Sequence, residues 1–181
     1  MAIRPLLTYA DYAAIPNDGR RYELFEGEVS VTPAPNTKHQ RIIGNLYLVL
    51  REHVRRGGLG EVFVSPIDCI LSDTSVVQPD LVFVETARST AVSQRGIEGA
   101  PTLAVEVLSP STLAVDRNVK GQLYARHGIP HYWIVDPEAR TVEAFELAGG
   151  GYRLAATYGG AGAGSLPPFP DLRLDPAALW P

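Results

Sequence analysis

Two rhythms of apolar spacing run along this chain. From Thr37 to Arg56, Ile42, Leu46, Val49 and Leu50 recur at i, i+4, i+7 and i+8, and Ile43, Tyr47 and Val54 widen the stripe. This spacing predicts an amphipathic helix packed hard on a sheet and ended by Gly57-Gly58. A second helix is predicted from about Val115 to His127, with Val115, Val119 and Leu123 on its buried face; Gly128 closes it and Pro130 blocks any continuation. A short third helix, Tyr9 to Ile15, follows the cap residue Thr8 and is broken by Pro16-Asn17-Asp18-Gly19.

Elsewhere the period is two, or the apolar run is continuous. Arg21–Phe25 and Glu28–Thr32 read as strands around a Glu26-Gly27 turn, stopped by Pro33-Ala34-Pro35-Asn36. Glu61–Ser65, Ile67–Leu71, Asp80–Val84, Leu103–Leu108 and His131–Val135 read as further strands, and Thr141–Leu147 with Tyr152–Thr157 as a hairpin. Strand, helix and strand over Leu103–Val135 predict a parallel crossover unit, and the hairpins add antiparallel strands. The fold class is α/β (α+β), with a mixed central sheet flanked by helices. Ser109-Pro110-Ser111-Thr112 reads as a loop before the second helix. Gly159–Gly164 lacks the Gly-Lys-Ser/Thr of a phosphate-binding loop and reads as a flexible surface loop. Asp175-Pro176 is expected to start a last helical turn, with Trp180 packing back.

With 181 residues, the chain is expected to be a single domain over 1–181, with an N-terminal helix and hairpin (1–35), a core (36–136) and a C-terminal hairpin and tail (137–181). Apolar residues at 45% and charged residues at 20% exclude a disordered chain. Cys69 is the only cysteine, which excludes a disulfide framework and a cysteine-rich zinc site. It sits among apolar neighbours and reads as a small buried hydrophobe. No run reaches the roughly 18 apolar residues of a membrane span, and Met1–Pro5 lacks the core of a signal peptide, so a cytoplasmic location is expected. The net charge of −4 does not announce a nucleic-acid binder. The long helix is locally basic, however, with Lys38, Arg41, Arg51, Arg55 and Arg56 against Glu52 alone. It is either a solvated face or a surface for a polymeric anion.

Three residues break the apolar patterns in a way that points to chemistry. Glu106 stands inside Leu103-Ala104-Val105-Glu106-Val107-Leu108, where both faces otherwise ask for burial. A carboxylate there needs a counter-charge, either an internal salt bridge or a metal ion. Asp80 opens another apolar strand after Gln78-Pro79. Lys120 lies with Asp116 and Tyr124 at i, i+4, i+8, a polar stripe beside the apolar one, and reads either as a surface pair with Asp116 or as a cation swung over the Glu106 strand. Two carboxylates on adjacent strands and one lysine are what metal-assisted phosphodiester cleavage requires. Hard oxygen ligands hold Mg²⁺, and the lysine orients or deprotonates the attacking water.

These residues resemble the PD-(D/E)XK nuclease signature in Pro79-Asp80 and Val105-Glu106-Val107. More closely, the chain resembles the Uma family of restriction-endonuclease-like proteins. The resemblance runs from about residue 8 to 147. It rests on Tyr22–Glu28, His39-Gln40, Pro79-Asp80, Glu106–Thr112, Asp116 with Lys120 and Tyr124, and Gly128-Ile129 through Tyr132–Asp136. It implies a restriction-endonuclease-like core, Asp80 and Glu106 as ligands of Mg²⁺ (or Mn²⁺), and DNA as substrate. The family pattern places a lysine two residues after the acid, where this chain has Leu108; Lys120 on the following helix would take its place. A further acid from the first part of such cores is expected at Glu23, with Glu26 and Glu28 as alternatives. His39, at the start of the basic helix, is a residue for phosphate or metal, or a surface hydrogen-bonding group. The predicted DNA-binding set is Lys38, His39, Arg41, Arg51 and Arg55. Tyr132-Trp133 is expected in the core rather than stacked on bases. A homodimer would supply the two centres that double-strand cleavage needs. The competing reading is a catalytically idle nuclease-fold module that binds nucleic acid or a protein partner.

Overall fold

The computed structural model describes residues 5–110, 115–159, 162–163 and 165–181. Met1 to Arg4, Ser111-Thr112 of the expected loop, and Gly160, Ala161 and Gly164 of the glycine stretch lie outside them.

The helices and strands follow from local chemistry. Helix α1 (Tyr9–Ala13) begins at Thr8, whose side chain forms a capping box with Asp11. Strands β1 (Arg21–Phe25) and β2 (Glu28–Thr32) pair across a two-residue turn, Glu26 and Gly27, at φ of 50° and 85°. Positive φ at both positions is the turn that matches strand twist, and it explains glycine there. Helix α2 (Thr37–Gly57) starts at Asn36, whose side chain accepts from the His39 N–H, and ends at Gly58 in the left-handed conformation. Its buried residues include Ile42, Ile43, Leu46, Leu50 and Val54, the stripe that its spacing predicts.

Thirteen strands are found among the described residues, and they form two sheets rather than one. The central sheet has seven strands. It contains β3 (Gly60–Val64), β6 (Leu81–Glu85), β9 (Leu103–Val107), β10 (His131–Asp136), β11 (Thr141–Ala148), β12 (Gly151–Gly159) and β13 (Gly162–Ala163), in the order β13-β12-β11-β10-β9-β6-β3. Only β9 and β10 run parallel in it, as the crossover requires. The second sheet joins β1 and β2 to β4 (Cys69–Ser72), β5 (Ser75–Val77), β7 (Val92–Ser93) and β8 (Gly96–Glu98). The last three escape the sequence reading because two or three residues show no periodicity. Gly162-Ala163 pairs with Tyr158 and Gly159, so part of the expected surface loop is a short strand.

Alternation along the central strands sorts residues into two layers. Leu81, Phe83, Leu103, Val105, Val107, Trp133 and Val135 join α2 and the C-terminal Phe169, Leu172 and Leu179 in one core. Trp180 packs back onto it. Val82, Val84, Ala104, Leu108, Tyr132 and Ile134 face a second core shared with Cys69, Val77 and Ile97 of the other sheet. Trp133 and Tyr132 are both core residues.

The segment after the Glu106 strand departs from the expected uniform helix. Val115–Lys120 is a π-helical turn, and only Gly121–Arg126 is α-helical (α3). The wider turn changes which stripe is buried. Asp116 and Lys120 are each 2% exposed, whereas Val119, expected in the core, is 45% exposed.

Candidate active site

Strands β6 and β9 are antiparallel neighbours, with Leu81 opposite Val105 and Val82 opposite Ala104. Continuing that register sets Asp80, just before β6, against Glu106, and alternation puts both on the face toward the second sheet. The main chain locks this arrangement. Asp80 Oδ2 accepts the N–H of Val107 at 2.9 Å, and the Asp80 carbonyl accepts the N–H of Ser65 at 3.0 Å. Both acids are buried.

Glu106 meets its counter-charge inside the protein. Lys120 Nζ and the Tyr124 hydroxyl both donate to Oε1, at 3.0 and 2.6 Å. The same ammonium lies 3.2 Å from Glu23 Oε1 and 3.6 Å from Asp116 Oδ1. Lys120 is therefore an enclosed cation among three acids, not the partly exposed surface pair that its helical spacing allows. Burial works against its charge, but Glu106, Glu23 and Asp116 outweigh that and hold the amine above its ordinary range. A protonated amine so placed can orient and neutralise the acids around it. Burial drives the Glu106 carboxyl well above the ordinary range, opposed by Lys120 and reinforced by Asp116, Asp80 and Glu23. Of the three acids of the first hairpin, Glu23 is the one brought to the cluster. Its Oε1 accepts the Gln78 N–H at 2.8 Å and its Oε2 the Thr32 hydroxyl at 3.0 Å. Glu26 instead pairs with Arg126, and Glu28 is exposed.

The Asp80 side is closed by two basic groups. His39 Nε2 lies 2.8 Å from the Val107 carbonyl and 3.2 Å from Asp80 Oδ2. Both neighbours are acceptors, so Nε2 carries the proton. Burial lowers the His39 pKa, but Asp80 and the Val107 carbonyl reverse this and leave it raised. Burial raises the Asp80 carboxyl; the hydrogen bond and charge of His39, the Val107 N–H and Arg21 bring it below its ordinary range. Arg21, which the sequence reading missed, approaches Asp80 Oδ1 to 3.5 Å. Its signal was position: it stands two residues before Glu23, on the same side of β1.

A cavity of about 180 Å³ opens over this cluster, lined by Arg21, Asn36, His39, Asp80, Glu106 and Asp116 among others. Lys120 and Glu23 stand behind that lining. A larger groove of about 570 Å³ lies between the π-helical turn, α3 and the β11–β12 hairpin, but no acid lines it. Chemistry rather than size therefore marks the site. The predicted basic residues divide. His39 turns inward to the acids, Lys38 pairs with Glu138 at 2.7 Å, and Arg41, Arg51 and Arg55 are exposed. Arg51 and Arg55 lie about 18 and 24 Å from His39 along α2, at a rise of roughly 1.5 Å per residue.

Over residues 9–177 the sequence matches the family Uma2, described as "Putative restriction endonuclease". The chain belongs to the Uma2 family. No curated protein matches it. Among solved structures it is similar to "a putative nuclease belonging to DUF820" from Anabaena variabilis, with a TM-score of 0.75 at 21% identity, over 96% of this chain and 97% of that one. This shared fold is the restriction-endonuclease-like one expected from the Pro79-Asp80 and Val105-Glu106-Val107 motifs. Within the Uma2 fold of this chain, Asp80, Glu106, Lys120 and Glu23 meet at one place although 97 residues separate the first from the last in sequence.

The donors at this place suit a hard divalent cation in type: two carboxylates, Asp80 and Glu106, beside the Val107 carbonyl. Burial, with Asp116, Asp80 and Glu23 nearby, raises the Glu106 carboxyl despite Lys120, so a further cation beside it would favour its charged form. Among the described residues no three His, Cys, Asp or Glu side chains are placed to hold a metal together. An ion here would rest on the two carboxylates and complete its shell with water, the usual manner of Mg²⁺.

Proposed function

We propose that this protein is a metal-dependent DNA endonuclease that hydrolyses phosphodiester bonds. The observation that carries this is the buried Asp80–Glu106 pair on adjacent strands, with Lys120 fixed on Glu106 and a cavity opening directly over both acids. Asp80 and Glu106 would hold Mg²⁺ or Mn²⁺, which when bound acidifies water and offsets the charge building on the phosphate. Lys120 holds the Glu106 carboxylate in place from behind and adds fixed positive charge. Glu23 keeps Lys120 in position, and Tyr124 fixes the same Glu106 oxygen. His39 ties Asp80 to the Val107 carbonyl, so the first acid cannot swing away from the second.

DNA as the substrate is supported by family membership and by the basic solvent face of α2. A span of about 24 Å covers roughly seven base pairs at 3.4 Å each, so Lys38, Arg41, Arg51 and Arg55 would follow one stretch of phosphate backbone. Cutting both strands takes two such centres, so two copies would act together as a homodimer. No helix among the described residues is long and apolar enough to cross a membrane, and we place the protein in the cytoplasm. The test is incubation with supercoiled plasmid. Conversion to nicked and linear forms in Mg²⁺ or Mn²⁺, abolished by EDTA, is the expected result; intact plasmid under every metal condition contradicts it.

A second reading is favoured by one observation, the enclosure of Lys120 at 2% exposure. In it the charged cluster serves the fold, and the domain binds nucleic acid without cutting. Duplex binding without any cleavage would select it.

A further inference from the structure

We propose that Arg21 is the phosphate-binding residue of the site, its guanidinium receiving one phosphodiester group of the substrate in the cavity beside Asp80. The inference rests on the nuclease reading and goes beyond it by assigning a residue outside the acid and lysine pattern.

Arg21 is held but not used up. A guanidinium has five N–H donors in a planar fork. Among the described residues a single hydrogen bond is made, from NH1 to the Ser65 hydroxyl at 3.3 Å. Its approaches to Asp80 and Glu23, at 3.5 and 4.0 Å, are too long for the paired hydrogen bonds that an arginine and a carboxylate form when they serve only each other. Nε is buried and has no partner among the described residues. Arg117 and Glu143, by contrast, meet at 2.8 Å, and Arg126 and Glu26 at 2.5 Å. An unmet donor on a largely enclosed guanidinium is costly, and an anion with several acceptor oxygens can take up the donors that face the cavity.

The place suits a phosphate. The Arg21 side chain is 21% exposed and lines the same 180 Å³ cavity as Asp80 and Glu106. At about 30 Å³ per water, that is roughly six water volumes, room for a phosphate group but not for a base pair. Asn36 also lines the cavity, so the positive N-terminal end of the 21-residue helix α2 borders it as well. Asp80, Glu106 and Asp116 repel a bare anion, so the phosphate enters together with a divalent cation, and binding is expected to be stronger when one is present.

The experiment is binding of a short fluorescein-labelled DNA duplex in Ca²⁺ over a series of salt concentrations. For Arg21→Gln the expected result is about tenfold weaker binding and a log–log salt slope shallower by about 0.9, the step for one phosphate that is no longer neutralised. Arg21→Lys keeps the charge and is expected to keep the slope while losing part of the affinity. Affinity and slope unchanged in Arg21→Gln overturn the proposal and leave the nuclease reading standing. A wild-type protein that binds no duplex overturns both. A second measurement needs no variant: in ¹⁵N-arginine-labelled wild-type protein, the Arg21 Nε–H resonance is expected to move on adding duplex, and a resonance that stays in place while others shift overturns the proposal.

Discussion

Lys120 Nζ and the Tyr124 hydroxyl converge on one oxygen of Glu106, at 3.0 and 2.6 Å. The two donors stand four residues apart across the junction of a π-helical turn and an α-helix, so the helix is clamped to β9 through a single carboxylate. That carboxylate also faces the cavity. The same contact therefore sets the packing of the helix and the orientation of the acid.

Removing the cation should be expensive. Lys120→Met leaves Glu106, Glu23 and Asp116 buried without their shared counter-charge, and breaking such a buried pair costs about 3–5 kcal/mol. Val119→Ala, one residue earlier but exposed, should change stability by less than about 0.5 kcal/mol. Urea unfolding of the two variants beside wild type measures the contrast; similar losses would mean that the cluster is not tightly coupled to folding.

His39 makes stability depend on pH in a definite direction. Its folded pKa is raised above the unfolded value, so its contribution is fully present below about pH 6.5 and is lost as pH rises through the folded pKa. In EDTA, wild-type unfolding free energy should decline across that alkaline interval, and His39→Gln should flatten the decline. A His39 ring titrating at or below about 6.5 in an NMR experiment would contradict the assignment.

Much of this arrangement is legible in the sequence, for reasons that also mark the limit. The α2 stripe is legible because one regular helix packs one face on a sheet. Glu106 stands out because an acid in a strand buried on both faces has no bland place to go. The Asp116, Lys120 and Tyr124 stripe is visible from its spacing alone. Which stripe turns inward is not. Counting at the α-helical period buries Val119, but the π-helical turn breaks the phase, and the polar stripe turns inward onto Glu106 and onto Glu23, which arrives from a hairpin nearly a hundred residues earlier. The approach of Arg21 to Asp80 depends on that same long-range docking of the second sheet, whose short strands β5, β7 and β8 leave no periodic trace.

The exposed arginines of α2 carry a separate expectation. If Arg51 and Arg55 follow the phosphate backbone, neutralising both should make the salt slope of duplex binding shallower by about 1.8 and weaken binding evenly across sequences. An unchanged slope would confine the interface to the N-terminal turns of α2, around Lys38 and Arg41.

The most direct test of the account is cleavage by Glu106→Gln. The substitution keeps the shape of a side chain that burial already drives toward its neutral form, so the fold should persist, which circular dichroism and melting check. It removes the carboxyl group that a divalent cation would bind in its ionised form. Wild-type protein is expected to nick and linearise plasmid in Mg²⁺ or Mn²⁺, and folded Glu106→Gln to do so at least about 10²-fold more slowly, in line with the loss of a principal group of the reaction. Cleavage by folded Glu106→Gln at the wild-type rate would contradict the assignment of this acid pair as the active site.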